Sequence, residues 1–310
     1  MANFPPAREG VIGIDVASAT VAIYDQITAT HLSVANELDA LVLALTPLRG
    51  RGLAVCEATG GYEDQLLAAL GGLGIPVHRA DGGRLKAYAR SLRRAKTDRI
   101  DAEMLARYGA ERGDQLQRYS PPDEAQACLA ALVRRRIELV EARKIERTRA
   151  RAPRAHLIAE FIDSAIGFLD DQIAQIDARI AALIAKATHL EQRRSTLRTI
   201  PGVGPQIAIS LMALMPELGT LCRRKAASLA AVAPHPRDSG TASAPRRTAG
   251  GRRYLRPILF IAALTAIRGD NPIAAFYRRL VGNGKAKKIA IVAVMRKIIT
   301  IANARIAQLT

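Results

Sequence analysis

The stretch from about Asp123 to Ser195 constrains the fold more than any other feature, because it contains no strand-like run and few glycines. Its apolar positions recur at helical spacing, stepping alternately by four and three residues. They are Leu169, Ile173, Ile176, Ile180, Leu183, Ala187 and Leu190. The spacing predicts a helical, coiled-coil connector in which Pro153 separates two long helices. A hairpin that packs on itself and a dimerising coiled coil both fit this pattern.

The region before the connector alternates between strand-like and helix-like runs. "VIGIDVASATVAIYD" contains two β-rich runs joined by a short turn, which indicates a hairpin. "GLAVCEATGGYEDQLLAALGGLGIPVHRAD" then reads as strand, helix and strand, the pattern of a βαβ unit. A further helix begins near Thr97 or Asp98, either of which is a suitable N-cap. We therefore predict an α/β domain over residues 1–115.

The region after the connector is mostly helical but is broken by one long polar loop. This loop reads "APHPRDSGTASAPRRTAGGRRYLR" and is rich in Pro, Gly, Ser and Arg. A loop of this length inside a helical domain is usually functional or disordered. The predicted fold class is thus α/β plus α: the domain at 1–115, a connector at 116–195 and a helical domain at 196–310.

The charge of the chain indicates a polyanionic partner. Its 310 residues include 46 Lys and Arg against 28 Asp and Glu, a formal net charge of +18 with a sequence pI near 10.6. Such an excess favours nucleic acid first and an anionic membrane surface second.

The cysteines and the apolar runs restrict the compartment. Cys56, Cys128 and Cys222 are far apart and lack metal-ligand spacing, so the sequence predicts neither a disulfide framework nor a zinc site. The longest apolar run near the C-terminus, "ILFIAALTAI", is shorter than the roughly 20 residues of a membrane-spanning helix. We expect a soluble, cytoplasmic protein without a membrane partner.

Acidic residues at strand ends are the first candidates for catalysis. Asp15 ends the first predicted strand and Glu57 ends a later one, and ligands of α/β sheets collect at that edge. Asp98 and Asp101 are three residues apart and therefore share a helix face. Four converging carboxylates would bind Mg²⁺ or Mn²⁺ for phosphoryl transfer, although the "TDRID" pair alone also fits a capped helix with solvated charges.

The residues around these acids are interpreted by their charge. Four basic residues flank the Asp98 pair and are candidates for holding phosphates: Arg93, Arg94, Lys96 and Arg99. The remaining nearby acids are expected to be surface charges: Asp25, Asp64, Asp81 and Glu103.

The first of two candidate nucleic-acid contacts in the C-terminal region is a short glycine-rich turn. "IPGVGPQIA" has the two glycines of a helix-hairpin-helix turn, with Pro205 at the start of the second helix. Backbone N–H groups at Gly202 and Gly204 could approach a phosphate there, although an ordinary turn between helices has the same pattern.

The polar loop contains a candidate nucleophile, Ser239, which precedes Gly240. A serine hydroxyl needs a base, a metal or nearby positive charge to become a nucleophile. His235 is a possible helper, Ser243 is an equally eligible serine, and either serine could simply be a turn residue. The arginines that could neutralise a phosphate here are Arg237, Arg246, Arg247, Arg252, Arg253 and Arg256.

Five ordered motifs resemble one family over nearly the whole chain. They are "IGIDVASATVAIYD", "CEATGGYE", "RAKTDRIDAEMLARYG", "IPGVGPQIA" and the polar loop. Together they resemble the DEDD transposases of bacterial insertion sequences, relatives of the pilin-gene DNA invertases. In one departure, Ala80, Asp81 and Gly82 stand where the family commonly has Asn-Pro, which puts the local loop in doubt.

The resemblance implies a RuvC-like, RNase H-type domain with the acids at Asp15, Glu57, Asp98 and Asp101, and a C-terminal transposase domain with the nucleophile at Ser239. It implies Mg²⁺ or Mn²⁺, donor and target DNA, a structured guide RNA and a dimer or tetramer. The expected function is DNA cleavage and rejoining through a phosphoserine bond. A RuvC-like junction resolvase or nuclease that hydrolyses DNA with water, and a non-catalytic DNA-binding protein, are the alternatives.

Overall fold

The β-rich runs near the start of the chain form a mixed sheet in the computed structural model. This structure describes residues 10–92, 98–121, 123–235, 247–248, 250–252 and 254–309, with the backbone alone at 92, 98, 99, 235 and 247. The chain divides into two compact units, Met1–Pro121 and Pro122–Thr310.

The sheet of the first unit has five strands among the described residues, in the order β3-β2-β1-β4-β5. They are β1 (Val11–Val16), β2 (Thr20–Asp25), β3 (Thr30–Ala35), β4 (Leu53–Glu57) and β5 (Val77–Ala80). The first three strands pair antiparallel, whereas β4 pairs parallel with both β1 and β5. The predicted hairpin and βαβ unit are therefore confirmed.

Helices cover both faces of this sheet. They are α1 (Leu38–Leu45), α2 (Asp64–Gly72), α3 (Gly82–Leu92) and α4 (Asp98–Arg112). Side chains alternate between the two faces of a strand, so Ile12 and Ile14 pack in one core with residues of α1 and α2. Val11 and Val55 pack in a second core with residues of α3 and α4. The first unit is thus a three-layer α/β structure.

Asp25 corrects one prediction of the sequence, because it is not a surface charge. Its side chain is only 2% exposed and accepts hydrogen bonds from Arg51 Nε at 3.0 Å and Nη2 at 2.7 Å. The hydrogen bond from Arg51 lowers the pKa of Asp25 below its ordinary value. An acid at the end of an otherwise apolar strand is buried here because an arginine 26 residues away in sequence pairs with it.

The connector is a helical hairpin packed on itself within one chain. Helix α5 (Glu124–Arg149) and helix α6 (Ala159–Lys186) flank the turn that contains Pro153. Ile173, Ile176 and Ile180 of the predicted seam are buried against α5, which confirms the seam. Arg136 Nε donates to Asp177 Oδ1 at 2.6 Å, and Arg143 donates to Asp170.

Shorter helices follow and share one core with the connector. They are α7 (Thr188–Arg198), α8 (Pro205–Leu214), α9 (Arg223–Leu229), α10 (Leu255–Ala266), α11 (Pro272–Gly282) and α12 (Lys287–Ile306). Helix α12 is buried along its length through residues such as Val294, Ile298 and Ala302. In the described part of the chain, no helix has the length and apolarity needed to cross a bilayer.

Candidate active site

Helix α4 packs directly on strand β1 because the two elements meet through small residues. A Cβ atom on Gly13 would lie 1.9 Å from the carbonyl oxygen of Ala102 and 2.4 Å from the amide nitrogen of Ala106. Real Cβ atoms essentially never approach backbone so closely. A glycine is therefore required at position 13 for this packing.

The direction of α4 follows from a second close contact. A Cβ atom on Gly109, near the end of α4, would lie 2.6 Å from Val11 and 2.7 Å from Val55. Ala102, near the start of α4, lies instead at Gly13. Helix α4 therefore runs antiparallel to β1, and its N-terminal turn lies at the edge where β1 ends.

Strand alternation turns two of the predicted acids toward the same face. Val11 and Gly13 face α4, so Asp15 continues that side of β1, and Glu57 continues the side of β4 that carries Val55. The register pairs Ile14 with Cys56 as the last pair, so Asp15 and Glu57 are the next neighbours across the two strands. The fold thus brings these two acids and the first turn of α4 to one edge of the sheet, which we call the acid edge.

The remaining members of the acidic set lie on α4. Helix α4 begins at Asp98, as predicted, and Asp101 is half-buried in its first turn. The side chains of Asp98 and Arg99 lie outside the described part of the structure, as do Arg93, Arg94 and Lys96 entirely. Among the described side chains, which do not include that of Asp98, no group of three or more acidic, histidine or cysteine residues is placed to hold a metal ion.

Gly82 contacts the Glu57 carboxylate, which sequence reasoning did not anticipate. A Cβ atom on Gly82 would lie 2.4 Å from Glu57 Oε1, while one on Gly83 would meet only Asp81 Oδ1, at 3.0 Å. In this chain, the glycine makes room for a carboxylate of the candidate site.

A cleft of about 290 Å³ opens beside Asp15 on the first three strands. Its lining comprises Asp15, Ala17, Thr20, Ala22, His31, Leu32 and Ser33. His31 Nε2 lies 3.0 Å from Glu103 Oε1 of α4, so Glu103 is an interacting residue and not simply the surface charge that the sequence predicted. The sequence carried no signal for this pair, since the two residues are 72 positions apart.

A second acid missed by the sequence analysis, Glu63, organises the loop that follows Glu57. Its side chain is fully buried and accepts hydrogen bonds from Thr59 N at 3.1 Å, Thr59 Oγ1 at 2.6 Å, Gly61 N at 2.9 Å and Arg79 Nε at 2.7 Å. Burial by itself raises the pKa of a carboxyl group, but these hydrogen bonds and the charge of Arg79 lower the pKa of Glu63 to about 2. The carboxylate therefore stays ionised and holds the loop.

The two glycines of the predicted helix-hairpin-helix turn have different surroundings. Gly202 has a φ of +84°, and a Cβ atom there would lie 2.2 Å from Ala262 O and 2.8 Å from Ala266 Cβ of α10. Gly204 caps α8 with open space beside it, and Pro205 occupies the first turn, as expected. Gly202 is thus required by packing on α10, whether or not its N–H group also meets a phosphate.

The polar loop that contains Ser239, which we call the serine loop, begins and ends in two short strands that pair with each other. Strand β6 (Pro234–His235) pairs antiparallel with strand β7 (Arg247–Thr248). Gly251 has a φ of +75°, and a Cβ atom there would lie 2.4 Å from Ala231 N. Arg252 N then donates to Leu229 O at 2.8 Å. Both ends of the loop are therefore fixed near the end of α9.

Most predicted residues of this loop lie outside the described part of the structure. These are Arg237, Ser239, Ser243, Arg246 and Arg253, together with the side chains of His235 and Arg247. Arg252 is described, and its guanidinium donates to Leu214 O and to both carboxylate oxygens of Glu217. Arg252 therefore has a protein partner in addition to the phosphate contact predicted for it.

Comparison with known proteins finds two transposase family models that match separate parts of this chain. A family model for DEDD transposases of the IS110 type, described as a transposase, matches residues 12–157. A second model, described as a transposase of the IS116/IS110/IS902 family, matches residues 194–278. The pilin gene-inverting protein of Moraxella lacunata is 34% identical over 259 residues, which cover 82% of this chain and 80% of that protein.

This chain belongs to the IS110 family of transposases. The pilin gene-inverting protein of Moraxella bovis is equally similar, with 34% identity over the same coverage. An uncharacterised protein of the insertion element IS110 from Streptomyces coelicolor is 27% identical over 248 residues, covering 71% of this chain and 55% of that protein. The resemblance predicted from the sequence motifs is thereby confirmed.

Membership of this family establishes the general chemistry. The transposase acts on DNA as a recombinase, and DEDD transposases depend on divalent metal ions. Carboxylates at Asp15 and Glu57, with Asp101 on the adjoining helix, are chemically suited to such an ion because hard cations prefer oxygen ligands. The non-catalytic DNA-binding alternative is therefore disfavoured.

Proposed function

We propose that this transposase cleaves and rejoins DNA through a covalent bond between Ser239 and a DNA phosphate. The observation that carries the metal-dependent part of the proposal is the convergence of Asp15, Glu57 and the N-terminal turn of α4 at the acid edge. The serine step is supported by the resemblance of the motif around Ser239 to that of the family. This arrangement supports a RuvC-like, RNase H-type interpretation of the first unit. Asp98 and Asp101 complete the proposed acidic set, which would hold Mg²⁺ or Mn²⁺.

When bound, a divalent cation stabilises negative charge on the attacking and leaving oxygens of phosphoryl transfer. Ser239 Oγ loses its proton and attacks the scissile phosphorus, so that an Oγ–P bond forms. The P–O bond to the neighbouring sugar breaks, and the released sugar oxygen takes up a proton. After strand exchange, a sugar hydroxyl attacks the phosphoserine and regenerates the serine, so DNA is rejoined without net hydrolysis.

Basic side chains, together with backbone N–H groups of two glycines, would hold the DNA during these steps. The candidates are Arg93, Arg94, Lys96 and Arg99 beside the acids, Gly202 and Gly204 in the helical hairpin, and Arg237, Arg246, Arg247, Arg252 and Arg253 of the serine loop. Because lysine and arginine contacts to phosphate release counterions, binding should weaken steeply with salt. An affinity independent of salt would contradict this part of the proposal.

We propose that the functional segments are the acidic domain at 1–115, the helical connector at 116–195 and the serine domain at 196–310. The connector and the C-terminal helices share one core, so the boundary near 195 separates roles and not independently folded bodies. We also propose that the protein acts as a dimer or tetramer and that an RNA encoded by the element guides it.

The decisive experiment looks for the phosphoserine bond. The protein is incubated with Mg²⁺, DNA of the element ends and RNA transcribed from the element flank, and a protein–DNA adduct is sought on a denaturing gel and located by mass spectrometry. An adduct at Ser239 that is lost in Ser239→Ala and in Asp101→Asn supports the proposal, while Ser243→Ala should still form it. Cleaved DNA without an adduct would indicate the hydrolytic nuclease instead.

Two further arms of that experiment test the partners. Omitting the RNA should abolish the adduct if the RNA guides the protein. Mixing Ser239→Ala with Asp101→Asn, each inactive alone, should restore the adduct if the acids of one chain act with the serine of another. Failure of the mixture, with both single variants inactive, would indicate that one chain supplies the whole site.

A further inference from the structure

The loop from Ala58 to Glu63, which follows the candidate ligand Glu57, has a fixed backbone conformation. Gly60 and Gly61 have φ values of +87° and +127°, a backbone region that residues other than glycine rarely adopt. Ala58 N donates to Ala80 O at 3.1 Å, so the first residue of the loop still follows the sheet. The loop therefore leaves β4 along a defined path.

The anchor of this loop is the buried Glu63 carboxylate. A buried charge is costly unless its oxygens are fully paired, and Glu63 receives hydrogen bonds from Thr59 and Gly61 of the loop and from Arg79 of β5. One internal ion pair thus holds the loop against the sheet. Such an anchor prevents the residue just before it, Tyr62, from moving freely.

Asn36 ties Tyr62 to the strand that carries Asp15. Its Nδ2 donates to Tyr62 O at 2.8 Å and to Ala17 O at 3.0 Å, and Ala17 lies two residues beyond Asp15. The backbone of Tyr62 therefore belongs to the same sheet edge as the acids. Its side chain, however, is 56% exposed.

Tyr62 is an exposed aromatic side chain in the first unit, whereas the other exposed aromatic side chains of the described residues, Phe161, Phe168 and Phe260, lie on helices of the second unit. The sequence has no Trp and an aromatic content of only 4%. Among residues 10–92 and 98–121, Tyr62 is the aromatic residue with a largely exposed side chain. Aromatic rings held beside a basic nucleic-acid path serve as platforms on which bases stack.

We propose that Tyr62 stacks on a nucleobase of the DNA strand bound at the acid edge. The proposal rests on the proposed DNA strand-cleaving function of that site. Stacking requires the ring alone, since every base has a flat face and the tyrosine hydroxyl is not needed. The anchored loop would reduce the entropy lost on binding, because the backbone of Tyr62 is already held by Asn36.

The absence of tryptophan allows a direct test of contact. Tyr62→Trp introduces the single indole of the chain at the proposed platform, and Leu43→Trp introduces it at a matched exposed position on α1, where Leu43 is 78% exposed. Single-stranded DNA of the element end should quench the indole fluorescence of the Tyr62→Trp protein and leave that of the Leu43→Trp protein unchanged. Equal responses in both proteins, no response in Tyr62→Trp, or quenching by the guide RNA but not by DNA would overturn the proposal.

Two further variants separate stacking from other roles of Tyr62. Tyr62→Ala should weaken DNA binding by roughly tenfold or more, while Tyr62→Phe should bind as the native protein does. Thermal unfolding should be unchanged in both, because the side chain is exposed. Native affinity in Tyr62→Ala, or equal losses in the two variants, would contradict stacking.

The outcome is separable from that of the proposed function. Quenching in Tyr62→Trp without any Ser239 adduct in the native protein would leave the stacking inference standing and remove the phosphoserine mechanism. A normal Ser239 adduct together with an indole at position 62 that does not respond to DNA would support the phosphoserine mechanism and overturn the stacking inference.

Discussion

The acid edge and the ends of the serine loop are held in place by different kinds of contact. At the acid edge, backbone packs against backbone, with Gly13 lying directly against Ala102. At the serine loop, a two-residue strand pair and Gly251 fix the two ends of the segment. The proposed roles differ in the same way, since the acids proposed as metal ligands would need fixed separations, whereas the proposed nucleophile Ser239 would need to reach a phosphate.

The strictest test of the acid edge is Gly13→Ala, for which we expect the largest effect on stability. The added Cβ would meet the backbone of α4, which cannot move as a side chain can, so the free energy of unfolding should fall by about 3 kcal/mol, the upper end of the range for overpacked cores. Urea unfolding followed by circular dichroism measures this. The control is Gly71→Ala, in open space within α2, which should stabilise the protein by about 0.5 kcal/mol or more.

The ion pair between Glu63 and Arg79 should make the free energy of unfolding depend on pH. The pKa of Glu63 is about 2 in the folded protein against an ordinary 4.5, so the carboxylate contributes about 3 kcal/mol above pH 4.5. That contribution is lost as the pH falls from 4.5 through 2. Glu63→Gln should therefore be less stable than the native protein at about pH 7, with a difference that shrinks toward pH 2.

Asp64→Asn provides the matched control for Glu63, since Asp64 is the neighbouring acid and is exposed. Its unfolding free energy should stay within about 1 kcal/mol of the native value at each pH. A constant difference between Glu63→Gln and the native protein across the same pH range would show that the lowered pKa is not the source of the stability.

At the serine loop we expect a smaller loss of stability with a specific loss of function. Gly251→Ala would place a Cβ 2.4 Å from Ala231 N and strain a left-handed backbone, costing about 1–3 kcal/mol. The Ser239 adduct should disappear, while Mn²⁺ binding measured by electron paramagnetic resonance should persist. Loss of Mn²⁺ binding in this variant would contradict the proposal that the acids bind the metal and that the serine loop supplies only the nucleophile.

The smallest effect on stability is expected for Gly82→Ala, because its Cβ would meet only the end of the flexible Glu57 side chain. The carboxylate must move, so DNA cleavage should fall by about tenfold to a hundredfold, as small misplacements of reacting groups allow. Gly83→Ala, one residue later on the same helix turn, should retain activity because its Cβ does not meet Glu57. Equal activity of the two variants would show that Gly82 is not needed to position the Glu57 carboxylate.

Local patterns predicted most of the larger elements and the order in which they occur. The hairpin of β1 and β2, the βαβ unit, the start of α4 at Asp98 and the two connector helices all follow from periodicity, glycine turns and caps within short windows. Strand β3 and helices α1 and α3 were not predicted. The five ordered motifs identified the family, because their order along the chain is itself a property of the sequence.

The environment of each side chain was decided by residues distant in sequence. Asp25 is buried because Arg51 reaches it, Glu103 pairs with His31, and Gly202 serves the packing of α10. These partners lie outside any local window, so no periodicity could reveal them.

The sequence by itself thus determined which residue types were available: the acids at strand ends, the serine loop and the excess of positive charge. Only the tertiary structure decided that Asp15 and Glu57 are neighbours, that Gly82 makes room for Glu57 and that a buried Glu63 holds Tyr62 at the same edge. The physical reason is that strand register and close backbone packing depend on the whole sheet and the helices on it.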